Sequence, residues 1–189
     1  MPVIKVVGLD PSLRNWGVAI GSMSHNDIST LKISNIFVVH PEILTGKQVR
    51  QNSIDLHRAE QLATGVIPEI LDANAVFAEV PVGSQSARAM ASYGICCGVL
   101  GTIRSQGITF YEVTPLEVKL SGFGKKDATK AEMIQWAMQK HPEAPWPTYN
   151  RGGKAIVSEA KAEHMADAIG AIYAGFKSNP YQQTIQMMK

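Results

Sequence analysis

The stretch Val3-Ile4-Lys5-Val6-Val7-Gly8-Leu9-Asp10-Pro11-Ser12 is a near-continuous apolar run that closes on a carboxylate and a turn. Apolar residues without alternation predict a strand covered on both faces, and nothing in such a strand needs an acid at its end. Beyond the turn, Trp16-Gly17-Val18-Ala19-Ile20 predicts a second strand. Leu31, Ile33, Ile36, Phe37, Val38 and Val39, within Ser29 to His40, predict a third that stops before Pro41. Three consecutive strands with tight links read as an antiparallel meander.

Mixed helical spacing then predicts a helix from Gln51 to Leu71, with Pro68 as a kink or stop. A short buried strand follows from Asn74 to Glu79, a helix crowded with small residues from Ser84 to Gln106, and a fifth strand from Ile108 to Val113. Helices are predicted over Pro115 to Leu120, Lys126 to Lys140 and Ala155 to Phe176. A segment bearing Pro142, Pro145 and Pro147, then Gly152 and Gly153, separates the last two. This order is that of an α/β, ribonuclease H-like sheet: five mixed strands, three antiparallel and then two parallel, flanked by helices. Carboxyl ends of adjacent parallel strands gather at one edge, which brings Asp10 and Glu79 together.

Two further candidates lie on the last predicted helix. Residues three or four apart share a helix face, so His164 and Asp167 are neighbours, as are Glu163 and Asp167. Taken singly, each has a plain reading: Asp10 as a turn opener, Glu79 as a strand-end charge, the helix group as a wet face. Together they offer oxygen ligands of the kind Mg²⁺ and Mn²⁺ favour, enough for two ions at a phosphodiester-cleaving site. The helix segment offers one more ligand than such a site needs, so Glu163 and His164 stand as alternatives beside Asp10, Glu79 and Asp167.

At 189 residues, with 45% hydrophobic and 18% charged residues, the chain suits one soluble domain over 1–189, its core about 3–176 and a tail over 177–189. No apolar run is long enough to span a bilayer and the N-terminus reads as a strand, so a cytoplasmic location without membrane contact is expected. Cys96 and Cys97 are adjacent in a helical pattern, where a bridge would be strained, and are expected to pack. The formal charge of +2 says little, but Lys119, Lys125, Lys126 and Lys130 face a single acid, Asp127, within twelve positions. Arg151, Lys154 and Lys161 form a second basic group. Such clusters are solvated faces or tracks for a phosphate backbone.

Four segments resemble one family. Gly8-Leu9-Asp10-Pro11-Ser12-Leu13-Arg14-Asn15-Trp16-Gly17 is similar to the opening motif of the RuvC Holliday-junction resolvases. Ala78-Glu79 with Ser86-Ala87 and Gly94 to Gly98 resembles their second strand-helix motif. Thr114 to Lys119, Gly122-Phe123-Gly124 and Ala128-Thr129-Lys130 resemble their Pro-x-x-Val-Lys segment and the helix after it. His164-Met165-Ala166-Asp167-Ala168-Ile169 resembles the closing motif, which opens with Asp or His. The likeness runs from residue 3 to about 175.

What the resemblance implies is a homodimeric endonuclease that nicks four-way DNA junctions symmetrically and leaves 5′-phosphates. It would use two Mg²⁺ (or Mn²⁺) per site, held by Asp10, Glu79, His164 and Asp167, with Lys119, Lys125, Lys126 and Lys130 on DNA. There are departures from the family pattern. Val80-Pro81-Val82-Gly83 lacks the aromatic residue that wedges into the junction, the segment from Lys119 to Gly122 is short, and His141 to Asn150 is an added loop whose Trp146 and Tyr149 either stack on bases or pack. They imply a divergent branch, with a phage genome as its expected source. The competing readings are a nuclease for other branched DNA or RNA-DNA hybrids, a non-catalytic junction binder, and half of an actin-like ATPase or kinase, which would need a second glycine-rich phosphate loop.

Overall fold

β1 (Val3–Asp10) occupies the middle of a five-stranded sheet in the computed structural model, which describes residues 2–46 and 49–187. It pairs antiparallel with β2 (Trp16–Ser24), which pairs antiparallel with β3 (Asp27–Val39). On its other side it runs parallel to β4 (Ala75–Glu79), which runs parallel to β5 (Phe110–Val113). The order β3-β2-β1-β4-β5 is the predicted mixed sheet.

Strand alternation sorts the side chains into two cores. Val7, Leu9, Val18, Ile20, Val76 and Ala78 meet Leu62 and Val66 of α1 (Gln51–Ile70) and Cys96, Val99 and Ile103 of α2 (Ala87–Ser105). Val6, Ala19, Ala75 and Phe77 point the other way, onto Ala166, Ile169 and Ile172 of α5 (Glu159–Lys177). Full burial of a side chain of Val, Leu or Phe size is worth about 1.5–3 kcal/mol. Both faces of β1 are therefore strongly committed, as its unbroken apolar character requires.

α5 lies unusually close to the sheet, and glycine makes that possible. A Cβ on Gly8 would fall onto the carbonyl oxygen of Ala168, and one on Gly17 onto the carbonyl oxygen of His164. On the outer side of α5, Gly170 would meet Cγ1 of Val118 at 2.7 Å if it carried a Cβ, so α3 (Pro115–Gly122) also approaches closely.

Local signals explain where element boundaries depart from expectation. α4 spans Lys130–Lys140 and begins four residues later than Lys126, because Thr129 and Glu132 form a capping box and Gly124 holds φ at +82°. The segment Ala155 to Val157, expected to open the last helix, is a strand. β6 (Thr148–Arg151) and β7 (Lys154–Val157) form an antiparallel hairpin around Gly152 and Gly153, whose φ values of 62° and 78° are those of a two-residue primed turn. The side chains of Arg151 and Lys154, two of the three members of the second basic group, lie outside the described residues.

The added loop before that hairpin is anchored. His141, 2% exposed, binds Tyr173 OH through Nε2 and Glu143 through Nδ1, both at 3.0 Å, and Glu143 also accepts from the backbone N–H of Ile33 at 3.2 Å. Trp146 packs against the α5-side core and donates from Nε1 to the His141 carbonyl at 3.0 Å, so its role is packing; Tyr149 stays exposed. Residues beyond Phe176, expected to trail as a tail, form α6 (Asn179–Met187). Tyr181 and Ile185 of α6 are buried, and Tyr181 lies edge-on to Phe77 and Tyr111 with centroids 5.1 Å apart. No helix among the described residues is long and apolar enough to cross a membrane.

Candidate active site

Period-two alternation places Asp10 on the same face as Val6 and Gly8, and Glu79 on the face of Phe77. That is the α5 side for both. The parallel register ends at Leu9 opposite Ala78, so the two carboxylates occupy the next position on neighbouring strands. Across the antiparallel pair, Asp10 faces Gly17, the glycine over which α5 passes at His164. The missing Cβ of Gly17 thus sets the height of His164 above Asp10.

Asp10 is 8% exposed, and its Oδ2 accepts a hydrogen bond from Nδ1–H of His164 at 2.6 Å. Burial pushes the Asp10 carboxyl above its usual range, against the hydrogen bond and charge of His164, while Glu163 adds to the rise. The imidazole is pulled down by burial, yet the bond to Asp10 and the charges of Asp10, Glu163 and Asp167 outweigh that and hold it above the ordinary histidine value. Glu79 is pushed up to about 9, first by burial and then by the charges of Asp10 and Asp167. Asp167 rises to about 7 through burial and the charges of Asp10 and Glu163. Lys119 opposes the rise at both, which puts its ammonium beside the acids.

All four predicted ligands thus share one neighbourhood, with Asp10 and His164 in contact. They do not close around a single point: among the described residues no three His, Cys, Asp or Glu side chains stand in a cation-holding group. Glu163, the spare acid on the helix face, is bound by Lys130 at 2.5 Å. The lysines divide into two pairs. Capping boxes at Thr114/Glu117 and Thr129/Glu132 start α3 and α4, so Lys119 and Lys130 are delivered to the acidic cleft. Lys125 and Lys126 lie in the link between these helices, with Lys125 3.9 Å from Glu132 and above the Phe123 ring.

Arg14, Arg58 and His40 were not singled out by sequence reasoning, yet they border the turn that follows Asp10. Arg14 was visible in the opening motif; nothing in the sequence reveals that α1 and the end of β3 bring Arg58 and His40 to it. Of the two cysteines expected to pack, Cys96 is buried, its thiol pushed up to about 12 by burial, and packs as expected, whereas Cys97, its neighbour on the helix, is exposed.

No family model matches the chain, and no curated protein matches it. Solved structures share its fold. RuvC of Thermus thermophilus in complex with a Holliday junction substrate aligns with a TM-score of 0.64 and 16% identity over 97% of this chain and 96% of that one. Another Thermus thermophilus RuvC structure gives 0.59 at 19% identity, covering 96% of each chain. The yeast mitochondrial Holliday junction resolvase Ydc2 gives 0.50 at 11% identity over 97% of this chain and 86% of that one. At these identities the likeness is one of fold. The sheet, its order and its flanking helices are those of the ribonuclease H-like fold in the form RuvC resolvases have.

Proposed function

We propose that the chain is a single nuclease domain that hydrolyses phosphodiester bonds at four-way DNA junctions. The observation that carries this reading is the convergence of Asp10, Glu79 and Asp167, all buried enough to resist ionisation, with His164 among them and Lys119 beside them. Carboxylates held together at the expense of their own ionisation are a poor structural device and a good receptacle for cations. The donor set fits: three hard oxygen donors and an imidazole suit Mg²⁺ or Mn²⁺, with Asp10, Glu79, Asp167 and His164 as the residues that would hold two ions. Bound there, such ions supply an activated water and neutralise charge on the leaving 3′ oxygen, so the product carries a 5′-phosphate.

The protein's own groups have definable tasks. Lys119 lies where an extra negative charge on a phosphate would meet an ammonium. The contact between His164 Nδ1 and Oδ2 of Asp10 orients the carboxylate and leaves its Oδ1 for a cation. Lys130, already gripping Glu163, sits at the exposed lip of the cleft, and Lys125 and Lys126 extend the positive rim along which a phosphate backbone would run.

Symmetric nicking needs two sites at a fixed separation, hence a homodimer. The outward face of α2 supports this. Gly94, Gly98 and Gly101 lie exposed on it, and an added Cβ would meet nothing within 4 Å at any of them. Each mid-helix glycine costs about 0.5–1 kcal/mol relative to alanine, and nothing inside the chain requires it. A second copy of α2 approaching closely would.

The stretch Val80-Pro81-Val82-Gly83, exposed at Val82 and without an aromatic ring, favours a second reading in which replication forks or other branched DNA are the substrate. Incubation of synthetic four-way, forked and linear DNA with wild type and Asp10→Asn, with and without Mg²⁺, tests both. Mg²⁺-dependent paired nicks in four-way DNA, absent in the variant, are expected; equal cleavage by wild type and variant would end the reading.

A further inference from the structure

Beside the turn that follows Asp10 lies a hollow of about 220 Å³ lined by Arg14, His40, Pro41, Ile43 and Arg58. Its charged and titratable members are all cationic or basic, and no carboxylate lines it. Arg58 belongs to α1 and is only 6% exposed, an uncommon degree of burial for a guanidinium. Its one hydrogen bond among the described residues is a long one, 3.4 Å from Nη1 to Oδ1 of Asp55.

Asp55 is itself committed elsewhere. Arg88 of α2 clasps both of its oxygens at 2.6 and 2.7 Å, and Gln51 adds a bond at 3.0 Å. That fork holds Asp55 below the usual carboxylate range and satisfies its charge. One carboxylate thus stands against two guanidiniums, and Arg58 is the one left short. Burying a cation without full compensation is costly, so a nearly enclosed guanidinium with unspent donors beside an open hollow calls for an anion. Arg14 reaches the same hollow from the turn. His40 is set by Asn15, whose Oδ1 accepts from its Nδ1 at 2.7 Å, so Nε2 is the nitrogen left, and it donates to an anion when the ring carries both protons.

Arg14 also borders a second hollow of about 310 Å³ lined by Ser12, Ser86 and Tyr93, among others, whose hydroxyls are further donors. The two hollows share Arg14 and adjoin the turn that follows Asp10. Arg14 stands four positions along the chain from Asp10, a reach of at most about 14 Å, or about four nucleotide rises of 3.4 Å. We propose that the hollow bounded by Arg14, His40 and Arg58 is a phosphate subsite that holds a backbone phosphate of the nucleic-acid strand running past Asp10. Only the source of the phosphate rests on the nuclease reading; the anion chemistry stands on the hollow.

The test has two arms. Inorganic phosphate, titrated against chloride at equal ionic strength and followed by NMR of the His40 ring and the Arg58 Nε–H, is expected to shift both signals saturably. Arg14→Ala should weaken that binding at least fivefold. Absence of saturable shifts overturns the subsite. In the second arm, binding of duplex and four-way DNA is measured in chelator over a range of salt. Arg14→Ala and His40→Ala, both at exposed positions, should each lower affinity for every sequence, and Arg14→Ala should reduce the salt slope by about one. Arg58→Lys, which keeps the buried charge but loses the fork, should give an intermediate loss. An unchanged slope in the Arg14 variant, with a reduced slope in Lys125→Ala, overturns the assignment to the DNA strand and leaves the nuclease reading intact. Wild type that saturates with phosphate yet binds no DNA overturns the nuclease reading and the strand assignment together.

Discussion

Asp10 carries the marks by which a ligating side chain would be told from a structural one. A turn aspartate satisfies backbone donors and is missed when removed. Asp10 instead suffers from burial, and its described partner is the His164 imidazole. In chelator, Asp10→Asn should therefore melt at the same temperature as wild type or a few degrees higher, because the amide resembles the neutral form that burial already favours. Cleavage should vanish while DNA binding survives; a fall in melting temperature of several degrees would return Asp10 to the role of turn residue. Glu79 gives a pH-dependent counterpart. Its carboxyl rises from an ordinary 4.5 to about 9, so the folded state binds the proton more tightly than the unfolded chain does. The stabilisation is complete below about 4.5 and is lost as pH climbs through 9. Without divalent cations the melting temperature should fall between pH 5 and 9, Glu79→Gln should flatten much of that fall, and Mg²⁺ should restore the wild type at the alkaline end. A metal-free melting temperature that rises over this range would contradict the buried-acid site.

The helices carry a different lesson about glycine. At Gly17 a methyl group has no room, because the backbone of α5 stands where it would go. Gly17→Ala should cost about 1–3 kcal/mol of stability, as overpacking does, and should also reduce cleavage by lifting His164 from Asp10. At Gly94 the space is open, so Gly94→Ala should stabilise the isolated chain by about 0.5–1 kcal/mol while weakening self-association in sedimentation. A Gly94→Ala protein that remains as dimeric as wild type would remove α2 from the interface. Element boundaries are hidden in the sequence where helical spacing runs across a cap or turn signature. Thr129-x-x-Glu132 is a capping box in plain view, and the Gly152-Gly153 pair between two strand-like tetrapeptides is a hairpin signature. In both places the longer-range helical spacing of apolar residues masks the local signal. α6 was invisible for a physical reason: its buried face consists of little more than Tyr181 and Ile185, too few apolar residues to set a period.

For the molecule as a whole, the sheet could be read from the chain because each strand's burial is written in its composition. β1, central and covered on both faces, is apolar throughout, and strand order follows from the alternation of helices and strands after the meander. The location of Asp10 and Glu79 followed from that topology. What sequence could not give was the third dimension of charge: which lysines reach the acids, which acid on α5 is neutralised by Lys130, and that β3, α1 and the turn after β1 assemble a basic hollow from residues far apart in the chain. These depend on helix rotation and on loop paths that no periodicity encodes. If the molecule works as a pair, wild type should sediment as a concentration-dependent dimer at micromolar protein, and only monomer under those conditions would favour a nuclease with one independent site.

Gly8 has an importance out of proportion to its size. A strand apolar on both faces is poorly protected against slipping by one position, since either alternation would bury oily side chains about equally well. Such a slip would turn Asp10 toward α1 and α2 and leave the cleft without its acid. Slipping also carries Val7 or Leu9 to the point where the Ala168 carbonyl leaves no space for a side chain, and this steric veto is absent only at Gly8. The smallest residue in β1 thus works as a detent, admitting one alignment of strand against helix and thereby guaranteeing which way the carboxylate faces when the chain first folds.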